Sequence, residues 1–174
     1  MGIDTFISNF KGGARANRFR VSINWPGLVG TPNVRDDIVV SAAALPASVL
    51  GIVQAPYMGR QIPIPGDRTF EDWTITVQND TTFSHRNAFE RWSNKILSHR
   101  GNIQESPSYR SFVTNIDVVQ LDRDDKILKT FTLRNAWPTN ISQIDLSYDA
   151  NDTIETYSVS FAYSDWDSPN TPIS

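Results

Sequence analysis

The sequence predicts a mainly β domain that carries one amphipathic helix and one long hairpin. Among its 174 residues, 28 are isoleucine or valine and 14 are threonine, against only 8 leucines. Branching at Cβ restricts side-chain rotation in a helix and packs well on a pleated surface, so this excess favours strands. Ten prolines and nine glycines supply breaks between short segments. At this length we expect one domain, residues 1–174, with a core that needs no metal or disulfide.

The first strand is predicted from strict alternation of apolar and polar residues over residues 18–25. Its apolar face carries Phe19, Val21, Ile23 and Trp25. This pattern is typical of a half-buried strand. Residues 1–17 contain two consecutive glycines and several small residues, and we expect a flexible arm there, at most with a short helical start. Residues 38–44 follow a region rich in turn signals and are predicted as the second strand.

Residues 49–70 combine apolar side chains with three prolines, at positions 56, 63 and 65, and with three glycines. Because proline cannot donate to a central ladder, the segment is predicted to be an edge hairpin or extended arm. Its tip is expected at Tyr57 and Met58. Exposed apolar residues on such a hairpin are an aggregation hazard unless a partner covers them. The alternative is a hairpin folded over its own core.

A strand and the single convincing helix follow the hairpin. Residues 71–79 alternate again, and residues 80–82 offer N-cap side chains for a helix over residues 83–99. One helical stripe carries Ala88, Phe89, Trp92, Ile96 and Leu97. The last turn is basic and Gly101 suits the position after the helix. The aromatic stripe is therefore predicted to pack into the core against a sheet.

The second half of the chain predicts further strands separated by turns. These strands are residues 111–121, 127–135 and 154–163. We expect a polar loop over residues 102–110 and an acidic turn at 122–125. Residues 137–140 break the pattern, and residues 144–148 alternate again. The tail, residues 167–174, contains two prolines and is expected to be loose.

No arrangement of residues predicts catalysis, a cofactor or a metal site. The chain has no cysteine, which excludes disulfides, zinc–thiolate sites and cysteine nucleophiles. Its two histidines, His85 and His99, are separated by about 21 Å along the predicted helix at 1.5 Å per residue, too far to share a metal. Residues 122–125 resemble the start of a calcium loop but lack its glycine and distal glutamate. We therefore expect no enzyme activity.

Composition and charge argue against several other classes. No apolar run approaches the roughly 18 residues of a membrane span. The first residues show no basic segment followed by an apolar stretch, so no secretory signal is expected. The net charge of −3 argues against a protein that holds nucleic acid tightly.

The charge is distributed unevenly along the chain. Residues 1–35 carry a net charge of +4, residues 36–110 of −1 and residues 111–174 of −6. One interpretation is a solvated surface with an accidental bias. The other is a molecule with one basic and one acidic end, suited to head-to-tail self-association. Twelve arginines against four lysines agree with the second, because arginine is favoured at protein interfaces.

Several motifs, in order and spacing, resemble one known family. The strongest is GDRTFEDWTITV at residues 66–77, continuing to Asn79-Asp80. Support comes from ALPA at 44–47, MGR at 58–60, WPTN at 137–140 and DANDTI at 149–154. From about Ala14 to Trp166, the chain resembles the tail tube family of contractile-tailed, T4-like bacteriophages. It departs from that family in a longer loop at residues 27–37 and an extended tail after Trp166.

The resemblance implies a β-sandwich or partly open barrel with a flanking helix. It also implies hexameric rings that stack into a hollow tube and conduct DNA into the host cell. One sheet of each subunit would join its neighbours in a β-barrel that lines the channel. The hairpin at residues 49–70 would reach an adjacent subunit. Open strand edges suit such an assembly, because closure around a ring pairs them.

Three sets of candidate residues follow. The hairpin interface set is Pro56, Tyr57, Met58, Arg60, Ile62, Ile64 and Arg68. The ring-stacking set, from the basic end of the chain, is Arg15, Arg18 and Arg20. The channel-lining set is Glu155, Thr156, Ser158 and Ser160. The last set lies opposite the aromatic face of the final strand, with Glu155 near the rim where that strand starts.

The implied partners are further copies of the chain, the tail sheath, baseplate and tail terminator proteins, with DNA only passing through. The implied location is the virion tail, assembled in the host cytoplasm, without stable membrane association. One alternative is a baseplate tube initiator or the inner tube of a phage-derived injection system. A distant alternative is a carbohydrate-binding β-sandwich with exposed Trp and Tyr as sugar platforms.

Overall fold

A computed structural model of the chain describes residues 2–10, 13–30, 40–104 and 108–169. Within these ranges the chain forms nine strands and three helices. In chain order they are α1 (Ile3–Phe10), β1 (Phe19–Ile23), β2 (Val40–Ala43), β3 (Val49–Tyr57), β4 (Arg60–Thr69), β5 (Trp73–Gln78), α2 (Ser84–Ile96), α3 (Tyr109–Phe112), β6 (Thr114–Leu121), β7 (Ile127–Ile141), β8 (Thr156–Ala162) and β9 (Asp165–Asp167). The prediction of a mainly β fold with one long flanking helix is confirmed.

The strands form one folded sheet and one separate hairpin. In the described chain the sheet runs in the order β1-β6-β7-β8-β5-β2, and β9 also pairs with β7. Every pairing is antiparallel. β3 and β4 pair with each other as a two-stranded sheet. The larger sheet has free edges at β1 and β2 and is therefore not a closed barrel.

The long strand β7 connects the two halves of this sheet. Its first part pairs with β6 and its last part, from Trp137 to Ile141, pairs with β8. The change of partner follows a register shift at which β7 has an extra residue between Leu133 and Ala136. There Asn135 has a left-handed φ of 52°, as in a β-bulge that bends a strand. The predicted end of this strand at residue 135 is therefore wrong.

The core lies between the two halves of the sheet and α2. One half contributes Ile75, Val159 and Phe161, and the other contributes Ile116 and Leu133; all five side chains are fully buried. The alternation predicted for β1, β5 and β8 is confirmed by their burial. The apolar faces of a pleated sheet and of an amphipathic helix thus enclose a single core.

Helix α2 inserts its aromatic residues into this core as predicted. Phe89 and Trp92 are fully buried, and the Phe89 ring lies 6.0 Å from that of Phe161. The indole Nε1 of Trp92 donates to the Phe112 carbonyl at 2.7 Å. The helix ends at Ile96, and Leu97 is extended and 45% exposed. Leu97 therefore does not belong to the buried stripe.

The start of α2 is stabilised by an acidic side chain. Asp80 accepts hydrogen bonds from the backbone N–H of Ser84 at 3.1 Å and from its hydroxyl at 2.9 Å. Phe83, predicted as the first helical residue, instead has a left-handed φ of 53°. The pKa of Asp80 lies below its ordinary value, with the hydrogen bond from Thr82 as the main cause. The ionised carboxylate therefore satisfies a free donor at the helix start.

Other predicted boundaries change. Residues 109–112 form α3, so β6 starts at Thr114 and not at residue 111. Residues 144–148 form no strand, and Leu146 is 78% exposed. The last long strand begins at Thr156, not 154. The prediction of a loose tail is wrong for its first two residues, because Asp167 belongs to β9 and Ser168 is buried.

The arm expected over residues 1–17 contains α1. Residues 1 and 11–12 of this arm lie outside the described ranges. The same holds for residues 38–39 of the predicted second strand, for residues 105–107 of the predicted loop and for residues 170–174 of the tail.

Aromatic side chains near the end of the chain fix the base of the hairpin. The Ala47 carbonyl, just before β3, accepts from the Trp166 indole at 3.2 Å and from the Tyr163 hydroxyl at 3.4 Å. The Tyr163 ring also lies 5.7 Å from Phe70, just after β4. Earlier in the same connection, the Ala44 carbonyl accepts from Trp73 at 2.6 Å. Both ends of the hairpin are therefore attached to the core sheet.

Strand β9 is in turn held on β7 by paired charges. The Arg134 guanidinium lies 2.5 Å from the Asp167 carboxylate and 3.8 Å from that of Asp165. The hydrogen bond to Asp167 is the main cause that raises the pKa of Arg134 above its ordinary value. Trp166 packs on Phe131, with ring centroids 5.6 Å apart. The hairpin base thus depends on β9, the last strand within the described residues.

We predict that Trp166→Phe combined with Tyr163→Phe loosens the hairpin without unfolding the domain. Both substitutions keep an aromatic ring and remove a donor to Ala47, and each such hydrogen bond contributes about 1 kcal/mol. Trp166→Phe also removes one ring of the indole that packs on Phe131. Spin labels on Met58→Cys and Arg91→Cys are the only thiol labels, since the chain has no cysteine. Pulsed EPR should show a broader distance distribution than in the parent. Tyr148→Phe, in an exposed loop, is the control, and an unchanged distribution in the double variant would contradict the anchor.

A second prediction concerns acid stability. His85 is 4% exposed, and burial lowers its pKa below 6.5, partly offset by Asp80. Below pH 6.5, His85 is therefore protonated more readily in the unfolded chain than in the folded one. The free energy of unfolding then falls as the pH decreases, by at most about 1.4 kcal/mol per pH unit. The carboxylate of Asp80 contributes only near pH 4 and below. Urea unfolding between pH 7.5 and 5.5 should show this slope. His85→Gln should reduce this slope, and an unchanged slope in that variant would disprove the assignment.

Candidate functional site

The candidate functional features are surfaces. In the parts of the chain that the structure describes, no three acidic or histidine side chains come together as a metal site. None of the described helices combines the length and the apolar character needed to cross a membrane. The three features that remain are the hairpin, one polar face of the sheet, and a set of arginines near β1.

The hairpin projects the predicted interface residues into solvent. At its tip, Met58 is 86% exposed and has a left-handed φ of 45°. Tyr57, Ile62 and Ile64 are between 46% and 61% exposed. Pro56 and Arg60 are also exposed and lie beside the tip.

Arg68 lies apart from the rest of the set. It is at the base of the hairpin, where its guanidinium donates to the Ser48 hydroxyl at 3.4 Å. The structure thus groups six of the seven predicted interface residues on the distal part of the hairpin.

The predicted channel-lining residues lie on a continuous polar face. Thr156, Ser158 and Ser160 point away from the core, because Tyr157, Val159 and Phe161 between them are buried. Strand β5 extends this face in register. We call the hydroxyl face the outward residues of both strands: Thr74, Thr76, Gln78, Thr156, Ser158 and Ser160. Neither β5 nor β8 contains a charged residue, so this face is uncharged.

Hydrogen bonds connect the two strands across the hydroxyl face. The hydroxyls of Thr74 and Ser160 lie 2.9 Å apart. Ser41, on the neighbouring β2, donates to the Thr76 carbonyl at 3.3 Å. Thr74, Thr76 and Gln78 were not predicted to belong to the channel-lining set, although the alternation of β5 already placed them on its polar side. The sequence did not show that β5 pairs with β8, and this pairing is what joins them to that set.

Glu155 differs from the other predicted channel residues. It precedes β8, is half-buried, and its carboxylate accepts from the Asn79 side-chain amide at 2.9 Å. Its backbone carbonyl accepts from the Asn79 N–H at 2.9 Å. Glu155 therefore lies at the end of the hydroxyl face and is tied to the segment that follows β5.

The orientation of β8 is fixed by Tyr157. This side chain is 2% exposed, and burial is the main cause that raises the pKa of its phenol well above the ordinary value. The guanidinium of Arg86 lies 4.9 Å from its ring centroid. A slip of one residue would bring this large aromatic side chain to the outside, so the register of β8, and with it the hydroxyl face, is strongly specified.

The three predicted stacking arginines are exposed and lie in and before β1. Arg18 forms an ion pair with Asp125 at 3.1 Å, with both side chains exposed. Arg20 shares the solvent side of β1 with Arg18, and Arg15 precedes the strand. Exposed pairs contribute little and exchange easily, so the pair leaves Arg18 available to another carboxylate. The structure brings these arginines together and keeps them apart from β5 and β8.

The tryptophans do not form the exposed platforms of a carbohydrate-binding domain. Trp73 and Trp92 are buried, while Trp25, Trp137 and Trp166 are partly buried against the same core. Their main role is packing, which disfavours the tryptophan platforms of the carbohydrate-binding alternative.

Comparisons with known proteins identify the family of the chain. Residues 14–168 match the family described as phage tail tube protein. The chain is 33% identical to the tail tube protein gp19 of Enterobacteria phage T4 over 96% of its own length and 100% of that protein. It is 30% identical to the tail tube protein of Serratia phage KSP90, covering 90% of this chain and 89% of that one.

Solved structures show the same fold at lower identity. A chain of the anti-feeding prophage baseplate matches with a TM-score of 0.65 and 17% identity, covering 89% of this chain and 94% of the other. A chain of the sheath–tube complex of the PVC extracellular contractile injection system matches with a TM-score of 0.56 and 15% identity, over 97% of both chains. With two thirds or more of each relative covered and the family match extending over most of the sequence, the chain belongs to the phage tail tube protein family.

Proposed function

We propose that the subunit forms hexameric rings that stack into a hollow tube, through which DNA passes during infection by a contractile-tailed phage. The observation that carries this proposal is the uncharged hydroxyl face on a sheet with free edges. Basic walls would bind phosphates and slow the passage of DNA, whereas hydroxyl groups offer no cation. In this proposal the protein is a passive conduit and has no enzymatic role.

Ring formation is proposed to join two free strand edges. β2 pairs on one side only with β5, and residues 137–141 of β7 pair only with β8, as far as the described chain shows. These edges lie at opposite ends of the half-sheet that carries the hydroxyl face. Joining β2 of one copy to β7 of the next would continue that face around a ring and remove both edges.

The edge of β7 borders a groove. This groove of about 320 Å³ lies between the edge and α2, lined in part by Arg86, Glu90, Pro138 and Asn140. Pro138 lacks a backbone donor, and proline is tolerated at an edge. The groove therefore supports β7 as one side of the proposed junction.

Ring stacking is proposed to use Arg15, Arg18 and Arg20 against acidic residues of the next ring. All three side chains are exposed. The last third of the chain, residues 111–174, supplies a net charge of −6. Such contacts between exposed charges steer association and weaken in salt.

The proposed partners are the sheath, baseplate and tail terminator proteins of the same tail. The fold recurs in chains of a contractile sheath–tube complex and of a tube-terminating cap, the latter with a TM-score of 0.64. We propose assembly in the host cytoplasm and residence in the virion tail. The sheath would contract around the tube and drive it through the cell envelope.

A second candidate is a tube-like protein of the baseplate or of a phage-derived injection system. The fold match with a chain of the anti-feeding prophage baseplate, at a TM-score of 0.65, favours it specifically. An initiator of this kind would form single rings, and a tube protein would polymerise.

Negative-stain electron microscopy of the purified protein tests the proposal. We expect tubes from the full chain, because it combines free edges with a projecting hairpin. Deleting residues 56–65 should leave a folded domain, because this segment packs mainly on its own hairpin, but should abolish tubes. Single rings would favour the baseplate candidate. Monomers at high concentration, or normal tubes from the deletion variant, would contradict the proposed assembly.

A further prediction concerns the channel wall. Ser158→Arg together with Ser160→Arg should permit tube formation but slow DNA ejection from assembled particles, since each ring would present a belt of cations to phosphate. The matched control is Ser158→Asn with Ser160→Asn, which enlarges the side chains without charge. Unchanged ejection from intact tubes of the arginine variant would mean that β8 does not face the channel or that wall charge does not govern transit.

A further inference from the structure

The exposed side of α2 lies on the opposite side of the sheet from the hydroxyl face. The rings of Phe89 and Trp92 lie 6.0 and 6.2 Å from the ring of Phe161 on β8. Successive side chains of a strand point to opposite faces, so Ser158 and Ser160 project away from the helix. In the proposed tube, where the hydroxyl face lines the channel, the exposed side of α2 therefore belongs to the outer wall.

This exposed side is basic, although the chain as a whole is acidic. Residues 84–103 carry a net charge of +3, in a chain whose net charge is −3. The charged residues of the segment are Arg86, Glu90, Arg91, Lys95 and Arg100. Arg86 and Glu90 form an ion pair at 2.7 Å, so the surplus of positive charge comes from the other three. Of these, Arg91 and Arg100 are exposed and Lys95 is half-buried.

The basic residues within the helix lie away from the groove at the edge of β7. At about 100° per residue, Arg91 is turned by about 140° and Lys95 by about 180° around the helix axis from Arg86, which lines that groove. A neighbouring copy at the proposed junction between β2 and β7 would therefore leave Arg91 and Lys95 uncovered. A partner outside the ring can reach them.

The loop that follows α2 adds two exposed apolar side chains. Leu97 is 45% exposed and Ile103 is 69% exposed. The Ser98 N–H donates to the Ile103 carbonyl at 3.0 Å, and the Gly101 N–H donates to the Ser98 hydroxyl at 3.0 Å. Because these bonds hold the loop, little conformational freedom is lost when a partner covers it. We call the following residues the α2 surface: Arg91, Lys95, Leu97, Arg100 and Ile103.

We propose that the α2 surface binds an acidic segment of the sheath protein that also carries apolar side chains. This inference rests on the proposed tube function and adds to it the position and the chemistry of the contact. Three cations attract carboxylates and repel a basic segment, while covering Leu97 and Ile103 removes apolar area from water. The sheath is the occupant because it would surround the outer wall, to which the α2 surface belongs.

Co-sedimentation of assembled tubes with the purified sheath protein of the same phage tests the charge of the contact. The amount of sheath pelleted per tube should fall as NaCl rises from about 0.05 M to about 0.5 M, because salt screens exposed charges. Arg91→Glu with Arg100→Glu should lower it at least about tenfold at low salt, since like charges across an interface repel. Tube formation itself should be unchanged.

A matched pair of substitutions controls for the change in net charge. Arg123→Glu with Lys126→Glu makes the same charge change at exposed positions of the turn between β6 and β7. This control should keep sheath binding within about twofold of the parent, because isolated exposed charges contribute little. An equal loss of binding in both double variants would contradict the assignment to α2.

The apolar part of the surface has its own test. Leu97→Ser with Ile103→Ser should lower sheath binding severalfold at low and at high salt, because the loss of apolar contact is not screened. Leu146→Ser, at a position 78% exposed in another loop, is the control. Full binding by the Leu97 and Ile103 double variant would show that the contact is not partly apolar.

The outcomes separate this inference from the proposed function. Tubes of the Arg91 and Arg100 double variant that bind the sheath normally would overturn the inference and leave the tube function intact. Wild-type tubes that bind no sheath would do the same. A double variant that folds but forms no tubes would assign the surface to contacts between copies, which also overturns the inference. Wild-type protein that forms no tubes would overturn both.

Discussion

The hydrogen bonding of β7 on both sides is the constraint on which the rest of the structure depends. Its first part is held between β6 and β9, and its last part pairs with β8. The bulge at Asn135 turns the strand from one set of partners to the other. Without this change of partner the two half-sheets could not face each other across Phe89 and Trp92.

The same strand also determines how the hairpin leaves the domain. Arg134 on β7 binds the carboxylates of β9, and β9 carries Trp166 to the carbonyl of Ala47. A chain of short contacts thus connects the core sheet to an element that has no core of its own. Directional hydrogen bonds suit this task better than apolar contact, because they fix an orientation as well as a distance.

The two sides of the sheet have different roles. The inner side buries large apolar residues such as Ile75 and Phe161, which supplies the free energy of folding. The outer side presents hydroxyl groups that add little to that free energy and leave the surface uncharged. Because side chains alternate along a strand, one segment of sequence specifies both surfaces at once. In the proposed tube, this division would separate the stability of the subunit from the properties of the channel wall.

The sequence by itself determined what depends on local pattern. Alternation in β1, β5 and β8, the stripe of α2 and the tip of the hairpin at Met58 follow from spacing and turn chemistry. The structure has these features, except that Leu97 lies outside the stripe. Ser158 and Ser160 could be placed on the outer face for the same reason. The hairpin prolines likewise indicated a segment outside the central sheet.

Only the tertiary structure decided what depends on contacts between distant residues. The pairing of Thr74 with Ser160 and the hydrogen bond from Trp166 to Ala47 join positions that are far apart in the chain. The continuation of β7 through Pro138 overrides a local preference of proline. The local sequence of a strand does not specify which other strand pairs with it. A free strand edge accepts any extended neighbour of suitable register, so the choice is made by packing of the whole core.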